Sequence, residues 1–519
     1  MQPVTEIDWK RLYSERFLTD KMVAQELDSI IAFQSCRTQK QKTIIDVGLD
    51  AKEVLLENLS IGDEASDILA RRWYSSHTLG CLNRSIAVDQ WAHLREPSGE
   101  VITLETALAA FDVFVLEDGS IDTGDISYKF DGFADKFRQH DPSFQDLDQE
   151  KQAVAVIKYL RNHHLVGIDK NVDLHYHDLA NNFIGEAISG KTHRSLPLIS
   201  VAIFCSVAQR LGLNAQPCGF PFHVLAVVQP DSTQSSIAGD LEKPIPRSPI
   251  YLDPFRSNEE VPLETLESQL ISMGVPSNDH ERLLSPASTA DIVSRCARNI
   301  ITSVQTLPRS PAADSVKPGV EVSFYAALWA LLLLPSGNEN EVSMMQQAWY
   351  LPRVLRLVAG QYATDTWLVE KHLVPKIEQF GSSTAQTLRD IRATADARKP
   401  KKARDSQATR NVRYRIGHVF RHKRYQYYAI IYGWDATCSA EEDWMVQMRV
   451  DDLPRGRKQS FYHALVDDKS TRYVAEDHIE IVRDEAKHDL MAIAGQYFKR
   501  WDPEDKAFIS NIRDEYPND

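Results

Sequence analysis

The chain has 519 residues, of which 43% are hydrophobic and 25% are charged. This length is too great for a single hydrophobic core and predicts two or three domains of an ordinary globular kind. The formal net charge of −14 disfavours nonspecific binding of the whole chain to nucleic acid, so any such binding would need a local basic surface.

The spacing of the cysteines and the hydropathy of the chain indicate its cellular compartment. The cysteines are scattered and form no CxxC pair, which indicates a reducing environment without a disulfide framework or a zinc ribbon. The longest apolar run, Phe324–Leu334, is too short to span a bilayer, and the N-terminus lacks the features of a secretory signal. We therefore expect a cytoplasmic or nuclear location and no membrane partner. The cysteines are Cys36, Cys81, Cys205, Cys218, Cys296 and Cys438.

Residues 1–95 are predicted to be helical, because apolar side chains recur at helical spacing from Ile7 to Ile31. The stretch Asp8–Phe17, which contains Trp9, resembles the tail of an F-box, where a Trp-containing helix closes the motif. The body of an F-box lies before such a tail, so we expect a Skp-type adaptor surface to be mostly absent. The alternative interpretation is an amphipathic helix anchored by its tryptophan.

Residues 96–290 contain a well-defined core pattern. Pro197 and Gly212 bound an apolar run that predicts a helix, because proline favours the first turn of a helix and glycine favours its end. This run is apolar nearly all round, so the helix should lie in the core. The runs Gly219–Val228 and Ile250–Phe255 follow it and predict two buried strands.

This order of helix and strands resembles the transglutaminase-like fold of the SirB type, which implies an α+β domain. In catalytic members a cysteine at the start of the core helix is the nucleophile, a histidine on the next strand is the base, and an aspartate orients that base. By position, His223 matches the histidine base and Asp253 matches the orienting aspartate. The position of the cysteine falls at Leu196, Pro197 or Leu198, none of which is a nucleophile.

Other side chains near this position are weaker candidates for a nucleophile. Cys218 is a candidate substitute thiol, whereas Cys205 lies about two turns deeper in the helix. Ser195 and Ser200 are close, but a serine needs stronger assistance from a base than a cysteine does. We therefore expect an inactive scaffold without a cofactor, in which the histidine and aspartate form a buried hydrogen-bonded pair. A thiol-dependent transglutaminase- or peptidase-like enzyme is the alternative.

Residues 291–396 are predicted to be a helical spacer, and residues 397–411 a basic linker. The linker could be a phosphate-contacting arm, a nuclear localisation signal or a solvated connection. No metal site is predicted, because no cysteine or carboxylate completes the histidine pairs His163-His164 and His175/His177 at ligand spacing.

Residues 412–483 consist of short runs rich in Tyr, Val, Ile, Phe and Trp with turn residues between them, which predict a small antiparallel β-barrel. Residues 484–519 are predicted to be a C-terminal helix and tail. The blocks Arg421–Tyr425, Gly433–Asp435, Leu453–Gln459 and Phe461–His463 resemble the YccV family, also called the HspQ-like or hemimethylated-DNA-binding domain. The resemblance implies a small barrel linked to DNA binding and protein quality control in bacteria, and it does not imply an enzyme.

Basic residues concentrate in this segment and could contact nucleic acid or a protein partner. The tyrosines among them could stack bases, although at strand spacing half of them must face the core. The candidates are Arg413, Arg415, Arg421, His422, Lys423, Arg424, Arg455, Arg457 and Lys458.

The chain is thus predicted to be an α+β multidomain protein with a helical N-terminus, a transglutaminase-like domain, a helical spacer and a small barrel near the C-terminus. This order resembles a eukaryotic F-box protein family, in which the F-box recruits a cullin-type ubiquitin ligase and the remainder selects substrates. A non-catalytic recognition or scaffold protein of this type, with a Skp-type adaptor and a cullin ligase as partners, is the first hypothesis. DNA binding through the barrel and its basic arm is the second, and the thiol enzyme is the third.

Overall fold

The structure is a computed structural model that describes residues 8–95, 102–116, 123–168, 172–190, 192–230, 248–307, 319–334, 341–376, 381–405, 407, 409–468, 470–483 and 488–519. The chain divides into two compact units. The terminal unit comprises Met1–Leu82 and Ala385–Asp519, and the central unit comprises Asn83–Thr384.

Helices dominate the first four-fifths of the chain, in agreement with the predicted helical N-terminus and spacer. The first helices are α1 (Trp9–Ala32), α2 (Arg37–Ile45), α3 (Lys52–Leu59) and α4 (Ile68–His93). The next are α5 (Leu104–Val115), α6 (Thr123–His140), α7 (Gln149–Asn162), α8 (Val172–His175), α9 (Ile184–Ser189) and α10 (Pro197–Arg210). Strands β1 (Ala215–Cys218), β2 (Leu225–Val228) and β3 (Ile250–Leu252) follow. The remaining helices of this region are α11 (Leu263–Ser272), α12 (Ser277–Leu284), α13 (Thr289–Thr306), α14 (Val320–Leu333), α15 (Glu341–Gly360), α16 (Thr366–His372) and α17 (Gly381–Asp396).

The C-terminal region is mainly β-structure. It contains β4 (Val419–His422), β5 (Tyr428–Asp435), α18 (Glu442–Gln447), β6 (Phe461–Val466), β7 (Thr471–Ala475), β8 (Ile479–Ile481), α19 (His488–Ala494), β9 (Phe498–Asp502) and β10 (Ala507–Ser510). Strands β4–β8 form one antiparallel sheet in the order β7-β6-β5-β4-β8, which confirms the predicted antiparallel architecture. Within the described residues no strand pairing joins β7 to β8, so these five strands form a sheet and the closure of the predicted barrel is not seen there. The predicted tail contains an additional hairpin, β9–β10.

Helix α10 is the buried centre of the central unit. Every residue from Pro197 to Ala208 is buried, as the apolar sequence predicts. Pro197 occupies the first turn, and Gly212 ends the helix with a φ of +97°, a conformation that glycine adopts without a steric penalty. The sequence therefore predicted both the position of this helix and its ends.

The small sheet beside α10 differs in detail from the prediction. Strand β1, which was not predicted, pairs with β2, and β2 pairs with β3, all antiparallel. The predicted strand Gly219–Val228 begins only at Leu225, so the placement of His223 on that strand was wrong. The physical reason is Phe222, whose φ of +61° turns the chain sharply before the strand starts.

The two ends of the chain share one core in the terminal unit. Leu69 of α4 lies in the same buried apolar cluster as Leu490 of α19 and the inner residues of the five-stranded sheet. The Tyr74 hydroxyl donates a hydrogen bond to the Gln496 carbonyl oxygen at 2.9 Å. The N-terminal helices therefore fold together with the C-terminal sheet.

No helix within the described residues has the length and apolar character needed to cross a bilayer.

Gly495 allows a close approach at this contact. A Cβ atom added there would lie 2.1 Å from the Leu69 carbonyl oxygen and 2.5 Å from the Trp73 Cβ, and the backbone cannot yield as a flexible side chain could. We predict that Gly495→Ala lowers the free energy of unfolding by about 2 kcal/mol, measured by urea titration with circular dichroism.

Gly62→Ala is the matched control in the same unit, because a Cβ atom there meets no atom within 4 Å. We expect this variant to change the free energy of unfolding by less than about 0.5 kcal/mol. Equal stability of the Gly495→Ala and Gly62→Ala variants would contradict the described contact.

Candidate functional sites

A histidine–aspartate pair is held together in the central unit. The His223 Nε2 and Asp253 Oδ2 atoms are 2.8 Å apart. Asp253 is buried, and its other carboxylate oxygen accepts hydrogen bonds from the backbone N–H groups of Phe255 and Arg256, each at 3.2 Å. The backbone of the following turn therefore holds the Asp253 carboxylate in place. The carboxylate in turn orients the His223 imidazole, as the aspartate does for the histidine base of a catalytic triad.

The first turn of α10, where the resemblance to catalytic transglutaminase-like domains predicts a thiol, contains no cysteine. Pro197 occupies the first turn, and the N-cap residue Leu196 makes no capping hydrogen bond with its side chain. The two nearby serines are buried and bonded to each other, with 2.7 Å between the Ser195 and Ser200 Oγ atoms. The Gly167 N–H also donates to both oxygens, at 3.0 and 3.1 Å. Both hydroxyl groups are therefore engaged in buried hydrogen bonds, and neither presents a free oxygen for reaction.

The substitute thiol suggested by the sequence is buried in β1. The Cys218 Sγ atom donates a hydrogen bond to the Leu283 carbonyl oxygen at 3.3 Å, and burial raises the pKa of this thiol to about 11. Burial also raises the pKa of Cys205 within α10. Since the thiolate is the reactive species, neither residue is prepared for nucleophilic attack at neutral pH.

Most basic candidates of the C-terminal sheet already have partners. Lys423 Nζ donates to the Asp477 carbonyl oxygen at 2.8 Å, and the Arg424 guanidinium lies 5.3 Å from the Tyr425 ring centroid. Three of the arginines form ion pairs with carboxylates, namely Arg421–Glu480 at 2.8 Å, Arg455–Glu476 at 2.9 Å, Arg455–Asp477 at 2.7 Å, Arg457–Glu442 at 2.7 Å and Arg457–Asp451 at 2.6 Å. Their charge is largely neutralised within the protein.

Three further candidates are exposed. Arg413 lies with its guanidinium 5.4 Å from the Tyr414 ring centroid, and Arg415 and Lys458 point to the surface. For the described residues no ion pair is found at these three positions. These three, together with Arg424, which is also exposed and forms no ion pair among the described residues, are the basic side chains of the predicted set that remain available to a ligand.

The basic linker is attached to the sheet rather than extended into solvent. Lys402 Nζ lies 2.7 Å from Asp435 Oδ1, and Arg404 lies 2.8 Å from Asp519 Oδ1. Asp435 also accepts hydrogen bonds from Ser439 Oγ and the Tyr473 hydroxyl. Burial opposes ionisation of Asp435, but hydrogen bonds from His463, Lys402 and these two hydroxyls outweigh it and lower its pKa. Sequence reasoning missed this cluster, because Lys402 and Tyr473 are each more than 30 residues from Asp435, although Ser439 is four residues away.

The histidine pairs make ordinary local contacts. The His163 Nδ1 atom lies 2.8 Å from the Tyr159 carbonyl oxygen, and the His175 Nδ1 atom lies 3.0 Å from an Asp178 carboxylate oxygen. In the part of the chain that the structure describes, no group of three or more His, Cys, Asp and Glu side chains could hold a metal ion.

Comparison with known proteins identifies the two domains. The family model "Transglutaminase-like superfamily" matches residues 125–298, and the model "Hemimethylated DNA-binding protein YccV like" matches residues 412–505. The chain therefore combines a transglutaminase-like domain with a YccV-like domain, and the recognition of both domains from the sequence is confirmed. The YccV-like match extends past β8 into α19 and the β9–β10 hairpin.

The chain is similar to the protein named F-box only protein 21. It is 23% identical to that protein of Mus musculus over 390 residues and to that of Homo sapiens, in each case over 72% of this chain and 56% of the relative. The chain thus spans just over half the length of the curated relatives that it matches. No solved structure matches it significantly.

The protonation of His422 tests the hydrogen bonds at the end of β4, because the surroundings of this residue require an uncharged imidazole ring. Its Nδ1 atom accepts hydrogen bonds from the backbone N–H groups of Arg424 and Tyr425, at 3.2 and 3.1 Å. Burial, followed by the nearby charges of His478, Arg472 and Arg424, lowers the pKa of His422 to about 4.

A histidine whose pKa is lowered by folding stabilises the protein fully above its unfolded pKa of about 6.5 and loses this contribution as the pH falls through about 4. We predict a loss of roughly 3 kcal/mol in the free energy of unfolding across this range. An NMR titration of His422 should give a pKa near 4.

The variant His422→Asn keeps a hydrogen-bond acceptor but cannot titrate, so it should lose this part of the pH dependence. A pKa near 6.5 for His422 in the folded protein would show that the two backbone hydrogen bonds are not formed.

Proposed function

We propose that this chain is a non-catalytic recognition or scaffold protein of the F-box ubiquitin-ligase type. The observation that carries this proposal is the first turn of α10, which holds Pro197, whereas the resemblance to catalytic transglutaminase-like domains predicts a thiol at this point. A base without a nucleophile cannot begin acyl transfer. The His223–Asp253 pair then serves the structure, since each side chain satisfies the other in a buried setting.

The first half of α1 supports a role in protein binding. Trp9, Leu12, Tyr13 and Phe17 have exposed fractions of 62%, 48%, 73% and 56%, whereas the buried residues of α1 all lie in its second half, from Val23 onwards. Contiguous exposed apolar side chains on a helix are typical of an interaction surface. This stretch is the one that resembles an F-box tail, and the relatives are named as F-box proteins, so a Skp-type adaptor and a cullin ligase are the proposed partners.

DNA binding through the YccV-like domain is the alternative, and the description of that family favours it. The ion pairs of Arg421, Arg455 and Arg457 count against it, because those charges are already matched by carboxylates. A cytoplasmic or nuclear location suits either role, since the six cysteines are all free.

The loss of catalysis can be tested by incubating the full chain with a fluorescent primary amine and casein, with an active transglutaminase as positive control. We expect the wild-type chain to incorporate no more amine than its His223→Ala variant. His223→Gln, which can still donate a hydrogen bond to Asp253, should melt closer to wild type than His223→Ala does. Incorporation by wild type that His223→Ala abolishes would overturn the non-catalytic assignment.

Adaptor binding is tested by co-purification of the full chain with a Skp-type adaptor. The triple variant Trp9→Ala, Leu12→Ala and Tyr13→Ala should reduce recovery at least about tenfold, because aromatic anchors supply much of the free energy of an interface. Its melting temperature should not change, since these side chains are exposed.

Trp349→Ala is the matched control, because Trp349 is 65% exposed on a different helix. It should leave recovery of the adaptor unchanged. Equal recovery by wild type and the triple variant would rule out α1 as the adaptor surface, and no recovery by either would remove the ligase part of the proposal.

A further inference from the structure

A groove of about 1020 Å³ runs along the outer strand of the C-terminal sheet. Strand β7 is at one end of the strand order, and all five of its residues, Thr471–Ala475, line the groove. Successive side chains of a strand point to opposite faces of a sheet. A cavity that touches all five residues reaches the open backbone edge of β7, and Tyr432, Phe461 and His463 in its lining show that it also extends over one face of the sheet.

The register of β7 leaves backbone groups directed at this groove. Val466 N–H donates to the Ser470 carbonyl oxygen, and Glu476 N–H donates to the Ser460 carbonyl oxygen, so the even-numbered residues from Ser470 to Glu476 are the ones paired with β6. The N–H and C=O groups of Thr471, Tyr473 and Ala475 consequently face outwards. Among the described residues no backbone hydrogen bond to these three is found. Such an edge is a template for an added strand.

Aromatic and cationic side chains form the two sides of the groove. The β4–β5 turn contributes Arg424, Tyr425 and Tyr427, and the segment after β5 contributes Trp444 and Arg449. The aromatic rings offer flat apolar surface for alternate side chains of an extended ligand.

The charge of the groove is mainly positive. Three arginines, Arg424, Arg449 and Arg472, line it together with one carboxylate, Asp452. The Arg472 guanidinium is held 4.2 Å from the Tyr427 ring centroid and 2.7 Å from an Asp468 oxygen, which fixes its position at the groove. Arg472 is paired with Asp468, so Arg424 and Arg449 are the exposed groove arginines available to a ligand, and they favour a ligand with carboxylates.

We propose that this groove binds an extended acidic segment of a partner protein, which adds to the edge of β7 as a sixth strand. Its backbone pairs with the outward N–H and C=O groups of Thr471, Tyr473 and Ala475, and its carboxylates contact the groove arginines. Its apolar side chains lie against the tyrosines and Trp444. The inference rests on the proposed recognition function and names the chemistry of the segment recognised.

A single nucleic-acid strand is the competing occupant and is less suited to this surface. Arginines and aromatic rings would accommodate phosphates and bases. A sugar-phosphate chain, however, has no repeating N–H and C=O groups to pair with a strand edge, so the outward backbone groups of β7 would remain unused. The polypeptide strand satisfies both the edge and the charge.

The test begins by panning a random eight-residue peptide library on phage against the full chain, with the variant Arg424→Glu/Arg449→Glu as counter-selection. Both arginines are exposed, so the substitutions should not unfold the protein. We expect enrichment of peptides in which Asp or Glu alternates with Val, Ile, Leu or Phe. Enrichment of basic peptides, or no enrichment, would overturn the proposal.

The best peptide is then synthesised and titrated by fluorescence anisotropy. The double variant should weaken its binding at least about tenfold, whereas Lys458→Glu, a charge reversal at an exposed position outside the groove, should change it less than about twofold. Methylation of alternate backbone nitrogens of the peptide should abolish binding. In hydrogen-exchange mass spectrometry, the peptide should slow exchange of the β7 amides.

Three results would contradict the proposal: equal binding of the methylated peptide, unchanged exchange in β7, or binding of an eight-nucleotide oligothymidylate but of no acidic peptide. Recovery of the Skp-type adaptor does not involve the groove. If the adaptor is still recovered when the groove test fails, only the groove assignment is lost, and the proposed function stands.

Discussion

The burial of the first turn of α10 is the constraint on which the interpretation of the central unit depends. In a thiol enzyme of this architecture, the positive end of the helix dipole stabilises a thiolate that faces the histidine. Here proline occupies that turn, and two serines beside it are engaged with the Gly167 N–H. The His223–Asp253 pair has the geometry of a histidine oriented by a carboxylate. On the proposed function, this geometry is preserved without its chemistry.

In the terminal unit, charge pairing limits what the basic residues can do. The sequence segment from Arg398 to Lys458 looks strongly basic, yet carboxylates both within the segment and beyond it neutralise much of this charge. Asp435 holds the linker through Lys402 and strand β7 through Tyr473, so one half-buried carboxylate connects segments that would otherwise be separate. The groove beside β7 is one surface that keeps exposed cations, and its open backbone edge distinguishes it from a plain phosphate-binding patch.

Local signals were sufficient for much of the fold. Pro197 and Gly212 fixed the ends of α10, and Thr103 begins α5 as an N-cap whose hydroxyl accepts a hydrogen bond from the Thr106 N–H, as its residue type predicts. Features that depend on distant contacts were not accessible. Gly495 is required because Leu69, far away in sequence, approaches it closely. His223 was placed on a strand because the left-handed conformation of Phe222 leaves no mark in an apolar run.

The central claim, a transglutaminase-like domain without chemistry, is tested most directly by the reactivity of each cysteine. The native chain would be labelled with iodoacetamide at pH 7.5 and the modified cysteines identified by mass spectrometry. With a pKa of about 11, roughly one Cys218 thiol in three thousand is ionised at this pH. The account predicts that Cys218 and Cys205 remain unmodified until the protein is unfolded, whereas the exposed Cys36 reacts in the native state. Rapid modification of Cys218 that disappears in the His223→Ala variant would reveal an activated nucleophile and would contradict the account.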